Sequence, residues 1–318
     1  MRMKKLITSL AMASVLLIAS ACSSNNNNDS SIEDLTIYTS IYPIEYFTEE
    51  IGGETVDVES IYPPGADAHT FEPTAKTMAQ LAESDAFFYL GAGLEGFAES
   101  AAESLNDESV SLVELGTHES LFAHVENKEE DHEEDHHEGH SHGDKDPHVW
   151  LDPVRAKEMA SYIKEELIEL NPEEKELYKE NFNKLSQDLT ALHEDFQSVV
   201  EKADHNKFLV AHGAYGYWEE RYGLEQISVN GISPSSEPSQ KDIERLIQTG
   251  KKENIDYMVF EKNVSNEIAT IVQEEIGAEA LSIHNLSVRM REDIDAENDY
   301  FDLMRQNLDV LKTVLNHN

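Results

Sequence analysis

A chain of 318 residues with 64 acidic side chains against 24 basic ones carries a formal charge of −40. That balance repels nucleic acid and anionic ligands and excludes them as partners, while favouring cations weakly. The length allows one large core or two modest ones, and the single cysteine excludes an internal disulfide and a thiolate metal site.

The first 22 residues read as an export signal. Arg2, Lys4 and Lys5 make a basic end, and Leu6 to Ile18 is mostly apolar yet too short to span a membrane comfortably. Ala19-Ser20-Ala21 then leads into Cys22. This ending is similar to a bacterial lipobox, with Ala19 where Leu is commoner. On that likeness Cys22 becomes the lipid-modified first residue of the mature chain. Residues 23–34, with four consecutive Asn, follow as a flexible polar linker.

Beyond the linker, short β-rich runs alternate with helical patterns. Leu35–Ser40, Val56–Tyr62, Ala86–Leu90 and Ser111–Leu115 read as strands, as do Lys207–Ala211, Gln226–Asn230, Tyr257–Glu261 and Ala280–Ile283. Helical stretches at Thr74–Ser84, Leu94–Leu105, Gln240–Lys252 and Ser265–Ile276 separate them. Strands alternating with helices of this length predict parallel βαβ units, here in two sets. The fold class is therefore α/β with two lobes, 35–170 and 205–318.

Residues 171–204 between the lobes predict one long helix. Asn171-Pro172-Glu173-Glu174 supplies an N-cap, a Pro at the first helical position and an acid at the third. Tyr178, Phe182, Leu185, Leu189, Leu192, Phe196 and Val199 recur at spacings of four and three. At 1.5 Å per residue the helix would reach roughly 45–50 Å, a stiff connection unlike a pair of hinge strands. The same seam would serve a dimeric coiled coil, but the α/β units on both sides favour packing within one chain and a monomer.

Seven of the chain's 14 histidines fall between His118 and His142, among a dense run of Glu and Asp. Residues 118–146 are expected to form an unstructured loop, because 126–146 hold almost no apolar side chain to offset the entropy of ordering. Its imidazoles, His132, His136, His137, His140 and His142 above all, can hold zinc, copper or nickel weakly and in several geometries.

Four other histidines sit in structured settings. His69 follows the strand at 56–62, His212 follows Phe208-Leu209-Val210-Ala211, and His284 follows Leu281-Ser282-Ile283. These three lie just beyond the C-terminal ends of predicted strands, where open α/β sheets place ligands. His148 precedes Asp152-Pro153, an N-cap and N1 pair. Singly, each reads best as a turn or capping residue. Jointly, two from each lobe would meet in an inter-lobe cleft, and three or four neutral imidazoles can complete a tetrahedral zinc site. Glu72 is either a carboxylate that orients His69 or the cap of the helix near Pro73, and capping is the safer reading. His193, His205 and His317 are expected at the surface.

Several motifs resemble one family over nearly all of 35–318. They are Pro64-Gly65-Ala66-Asp67-Ala68-His69-Thr70-Phe71-Glu72-Pro73, Asp146-Pro147-His148-Val149-Trp150-Leu151-Asp152-Pro153, and Ala211-His212-Gly213-Ala214-Tyr215-Gly216-Tyr217-Trp218. Arg221-Tyr222-Gly223-Leu224, Ser236-Glu237-Pro238-Ser239, Phe260-Glu261 and Asp299-Tyr300-Phe301-Asp302-Leu303-Met304 continue the match. Together they resemble the metal-binding lipoproteins that serve as extracytoplasmic receptors of bacterial zinc and manganese ABC importers.

The resemblance implies two Rossmann-like lobes bridged by a long helix, with metal bound between them. It places the first three ligand positions on His69, His148 and His212 and the fourth on His284, where many members carry a carboxylate. It implies Zn2+ as cargo, an ABC permease as partner, and a location on the outer face of the cell membrane, anchored through Cys22. Imidazole-rich coordination favours zinc over manganese, which prefers more oxygen. The competing readings are a secreted zinc hydrolase and a metal-buffering adhesin. No His-Glu-x-x-His pair or evident general base supports the hydrolase.

Overall fold

A computed structural model of the chain describes residues 34–106, 108–123, 145–233, 238–264 and 266–316. Cys22, the accessory histidines His132, His136, His137, His140 and His142, and the Ser236-Glu237 pair lie outside the described residues, as does His317. Among the described residues no helix is long and apolar enough to cross a membrane.

The compact unit from Asp34 onward contains two four-stranded parallel sheets. The first comprises β1 (Leu35–Thr39), β2 (Val56–Ser60), β3 (Ala86–Tyr89) and β4 (Ser111–Glu114) in the order β2-β1-β3-β4. The second comprises β5 (Lys207–His212), β6 (Glu225–Asn230), β7 (Tyr257–Glu261) and β8 (Glu279–Ile283) in the order β6-β5-β7-β8. Every expected strand is present, with ends differing by two residues at most. In each sheet the order reverses between the first and third strands, which creates a crevice at their C-terminal ends.

The helices are α1 (Tyr42–Gly52), α2 (Ala75–Glu83), α3 (Ala98–Leu105), α4 (Pro153–Leu170), α5 (Lys175–Val200), α6 (Gly216–Tyr222), α7 (Gln240–Lys252), α8 (Glu267–Ile276), α9 (Arg291–Asp295) and α10 (Tyr300–Val314). Of these, α1, α6, α9 and α10 were not singled out by the strand–helix alternation. Asp152 caps α4, its carboxylate accepting the Val154 N–H, and Pro153 opens the helix as expected. Thr74 caps α2 by accepting the Thr77 N–H, so Glu72 is not the cap and lies exposed.

The linking helix is α5, and it is shorter than the seam predicts. Its 26 residues span about 39 Å at 1.5 Å each. Pro172–Glu174 form a 3₁₀ turn ahead of it. The Asn171 N–H bonds the Leu167 carbonyl and finishes α4, so Asn171 serves the helix before it and makes no side-chain cap for the one after. Tyr178, Leu185, Leu189, Leu192 and Phe196 are all buried, and α5 packs on α1, α4 and α10. Its apolar face is thus covered within the chain.

One apolar core runs from the first sheet through α4 and α5 to Phe208, Val210, Trp218 and Tyr300. A smaller one holds Leu209, Ala211, Val229, Met258 and Val272 on the other face of the second sheet. The split follows the two-residue period of a strand. His212 continues the series of Phe208 and Val210, on the face turned to the larger core.

Candidate metal centre

His69, His148 and His212 come together although 79 and 64 residues separate them in sequence. Each offers a ring nitrogen within 4.8 Å of the other two. Their ring centres are 5.5 Å (His69–His148), 5.6 Å (His69–His212) and 5.0 Å (His148–His212) apart. His148 and His212 are each 1% exposed, and His69 is partly buried.

Each histidine is delivered by different local structure. His69 sits in a turn closed by Asp67, whose carboxylate accepts the His69 N–H at 3.0 Å. Tyr62 Oη donates to the preceding carbonyl of Ala68 at 3.2 Å, with Phe71 edge-on to the Tyr62 ring. His148 precedes the 3₁₀ turn Val149–Leu151. Asp146 Oδ1 lies 2.7 Å from its ring Nδ1. A carboxylate only accepts here, so Nδ1 carries the proton and Nε2 presents its lone pair. That Nε2 is buried without a hydrogen-bond partner, which costs free energy unless something fills the position.

His212 ends β5, and Glu261 ends the neighbouring β7, so the crevice at the switch point places them side by side. Nδ1 of His212 meets Glu261 Oε1 at 3.0 Å, and Nε2 meets the Ile232 carbonyl. Tyr215 Oη and Asn285 Nδ2 also donate to Glu261, at 3.3 and 3.1 Å. Burial would lower the pKa of His212, but the Glu261 carboxylate and the Ile232 carbonyl outweigh it and the net shift is upward. Burial would likewise raise Glu261, but the His212 charge holds it below the usual carboxylate range. His69 moves the other way. Burial, then the two neighbouring imidazoles, push it down to about 3, leaving it neutral at physiological pH.

His284 is not brought into this cluster. Its Nδ1 accepts the Leu286 N–H at 2.9 Å, which leaves the proton on Nε2, donated to Asp293 Oδ2 at 3.0 Å. Asn307 brackets its backbone, donating to its carbonyl and accepting its N–H at 2.8 Å. Both ring nitrogens are therefore engaged in the fold. Burial lowers its pKa, with Asp293 partly offsetting that. Asp146 and Glu261, the carboxylates that orient two of the imidazoles, were not assigned a site role from sequence. Asp146 could have been found from its place two residues before His148. Glu261 needed the strand order, since 49 residues separate it from His212.

A tetrahedral zinc ion with nitrogens at about 2.0–2.1 Å sets them about 3.3 Å apart. The three rings need to close by at most about 1.5 Å to meet that geometry, and a donor set of imidazoles suits zinc.

The model of the zinc-uptake complex component A, periplasmic, or ZnuA, matches residues 37–314. The chain belongs to the ZnuA family. It is 34% identical over 287 residues to the high-affinity zinc uptake system protein ZnuA of Bacillus subtilis, covering 90% of this chain and 89% of that one. The zinc-binding lipoprotein AdcA of Streptococcus pneumoniae is 32% identical over 278 residues, 87% of this chain and 55% of AdcA. The chain thus spans about half the length of the streptococcal relatives it matches. The crystal structure of the Zn(II)-bound ZnuA-like domain of that AdcA superposes with a TM-score of 0.73 at 28% identity, covering 89% of this chain and 100% of the domain. The matched family and these relatives are described by zinc uptake or zinc binding, and the hydrolase alternative has no counterpart among them.

Proposed function

We propose that this ZnuA-family chain captures zinc outside the cytoplasm and hands it to an ABC-type permease, with His69, His148 and His212 as the protein ligands. The observation that carries this reading is the buried, partnerless Nε2 of His148 within a group of three imidazoles. In this reading His284 is no ligand, because it lies outside the group of three imidazoles whose ring nitrogens converge, and solvent completes the tetrahedron. Cys22 carries the lipid that holds a monomeric receptor on the outer face of the membrane. His132, His136, His137, His140 and His142 act as an accessory collector that raises local zinc without defining the site.

Calorimetric titration of zinc with chelator competition, on the chain from Asp34 onward, tests the assignment. One tight site is expected to survive deletion of residues 124–144 and His284→Ala, and to be lost with His69→Ala. If affinity disappears with the deletion while His69→Ala binds normally, the triad is not the site. A tenfold loss in His284→Ala would return that residue to the ligand set.

A further inference from the structure

Asp146 orients His148 twice, because its Oδ1 accepts the His148 backbone N–H at 3.0 Å as well as the ring Nδ1. Pro147 between them has no N–H and a fixed φ, so this one carboxylate closes the turn. What holds Asp146 comes from beyond the linking helix. Tyr217 Oη donates to the Asp146 carbonyl at 2.6 Å. Gly216 lets the Asp146 carboxylate approach, since a Cβ there would stand 2.8 Å from Oδ2. Tyr217 is buried, with the Arg155 guanidinium 4.2 Å from its ring centre.

The residues after His148 repeat this docking. The carbonyl of Trp150 accepts Tyr300 Oη at 2.6 Å, that of Leu151 accepts Trp218 Nε1 at 2.7 Å, and the Asp152 carboxylate accepts Arg221 Nε at 2.6 Å. Trp150 Nε1 donates to the Asn285 carbonyl at 2.7 Å. The strap 146–152 precedes α5 in sequence, yet all these partners follow α5. His148 is therefore aimed by the half of the molecule that carries His212.

The geometry points to Tyr217 and Gly216 as positioning residues for metal capture. They fix Asp146, Asp146 fixes the tautomer and direction of His148, and zinc affinity depends on a hydroxyl and a missing methyl that never touch the ion. The inference rests on the zinc triad proposed above. Carboxylates behind a ligating imidazole raise its basicity and hold its orientation, and losing such support costs 10–100-fold in metal affinity.

Tyr217→Phe keeps the ring under Arg155 and removes only the hydroxyl, whereas Gly216→Ala pushes on the carboxylate itself. In the mature full chain, zinc titration against a competing chelator is expected to show about tenfold weaker binding for Tyr217→Phe with the melting temperature unchanged before zinc is added. In imidazole proton–nitrogen spectra of the zinc-loaded protein, the His148 Nδ1 proton should exchange faster in the variant. The His212 Nδ1 proton, held by Glu261, should keep its shift and lifetime and serves as the internal control.

Unchanged zinc affinity in Tyr217→Phe overturns the inference. So does a lower melting temperature with both imidazole protons unaltered, which would mark a purely structural hydroxyl. His148→Ala in the same titration separates the two levels. If it binds zinc as the parent does, the triad itself fails. If it loses zinc while Tyr217→Phe and Gly216→Ala retain it, only the positioning role fails.

Discussion

His212 holds two ring protons at once, since its Nδ1 faces a carboxylate and its Nε2 faces a carbonyl, and neither can donate. With His212 as a ligand, zinc must displace the Nε2 proton and the Ile232 carbonyl together. Its pKa is raised above the ordinary 6.5, so protons compete with zinc throughout the range below that raised value. Affinity should be complete above it and fall as pH drops through it, beginning above 6.5. Protonation of His69 adds nothing until pH nears about 3. Calorimetry in buffers of different ionisation enthalpy should register proton release on zinc binding at pH 6, below the ordinary value, and Glu261→Gln should move the fall in affinity to lower pH. Release of no proton at pH 6 would mean that His212 is not the group displaced. The residue types at this site were readable, since histidines beyond strand ends advertise themselves. Which of them converge was not, as His284 meets the same sequence criterion as His212 and yet stands outside the converging group.

The start of α4 depends on a buried charge. Asp152 is fully buried, caps α4 and accepts Arg221 Nε through both oxygens at 2.6 Å, with Arg155 Nε 3.4 Å away. Burial pushes its carboxyl up in pKa and Arg221 pulls it back. Removing one partner of a buried pair typically costs about 3–5 kcal/mol, because the other charge stays desolvated. Arg221→Ala should lose about that much in urea unfolding, and adding Asp152→Asn should recover part of it. A loss below about 1 kcal/mol would place the pair with solvent-screened surface bridges instead. At this scale, Asp152-Pro153 announced the helix start. Asn171-Pro172 announced one too, and there the structure used the Asn N–H to end α4. A capping residue between two helices can serve either neighbour, and only packing decides which.

The larger core runs from the first sheet across α4 and α5 into the second half, and the proposed ligands come from both sides of α5. Zinc should therefore stabilise the whole unit rather than one half. Zinc at 1,000 times its dissociation constant adds about 4 kcal/mol by mass action. In a thermal scan a single transition should rise with zinc and return when a chelator removes it. Two transitions, of which only the later-sequence half shifts, would contradict a shared site.

The alternation of apolar runs with helical periods determined the eight strands, the two-set α/β plan and the buried seam of the linking helix, because periods of two and 3.6 are local properties of the chain. The strand ends supplied His69 and His212 as candidates, and the Asp152-Pro153 helix start supplied His148. Tertiary structure decided three things that no local pattern carries: that His284 stands apart, that Glu261 aims the His212 imidazole, and that the strap bearing His148 docks on the half that follows it. The last two depend on strand order and packing that juxtapose residues 49 to 150 positions apart, and hydrogen bonds across such distances leave no period in the sequence.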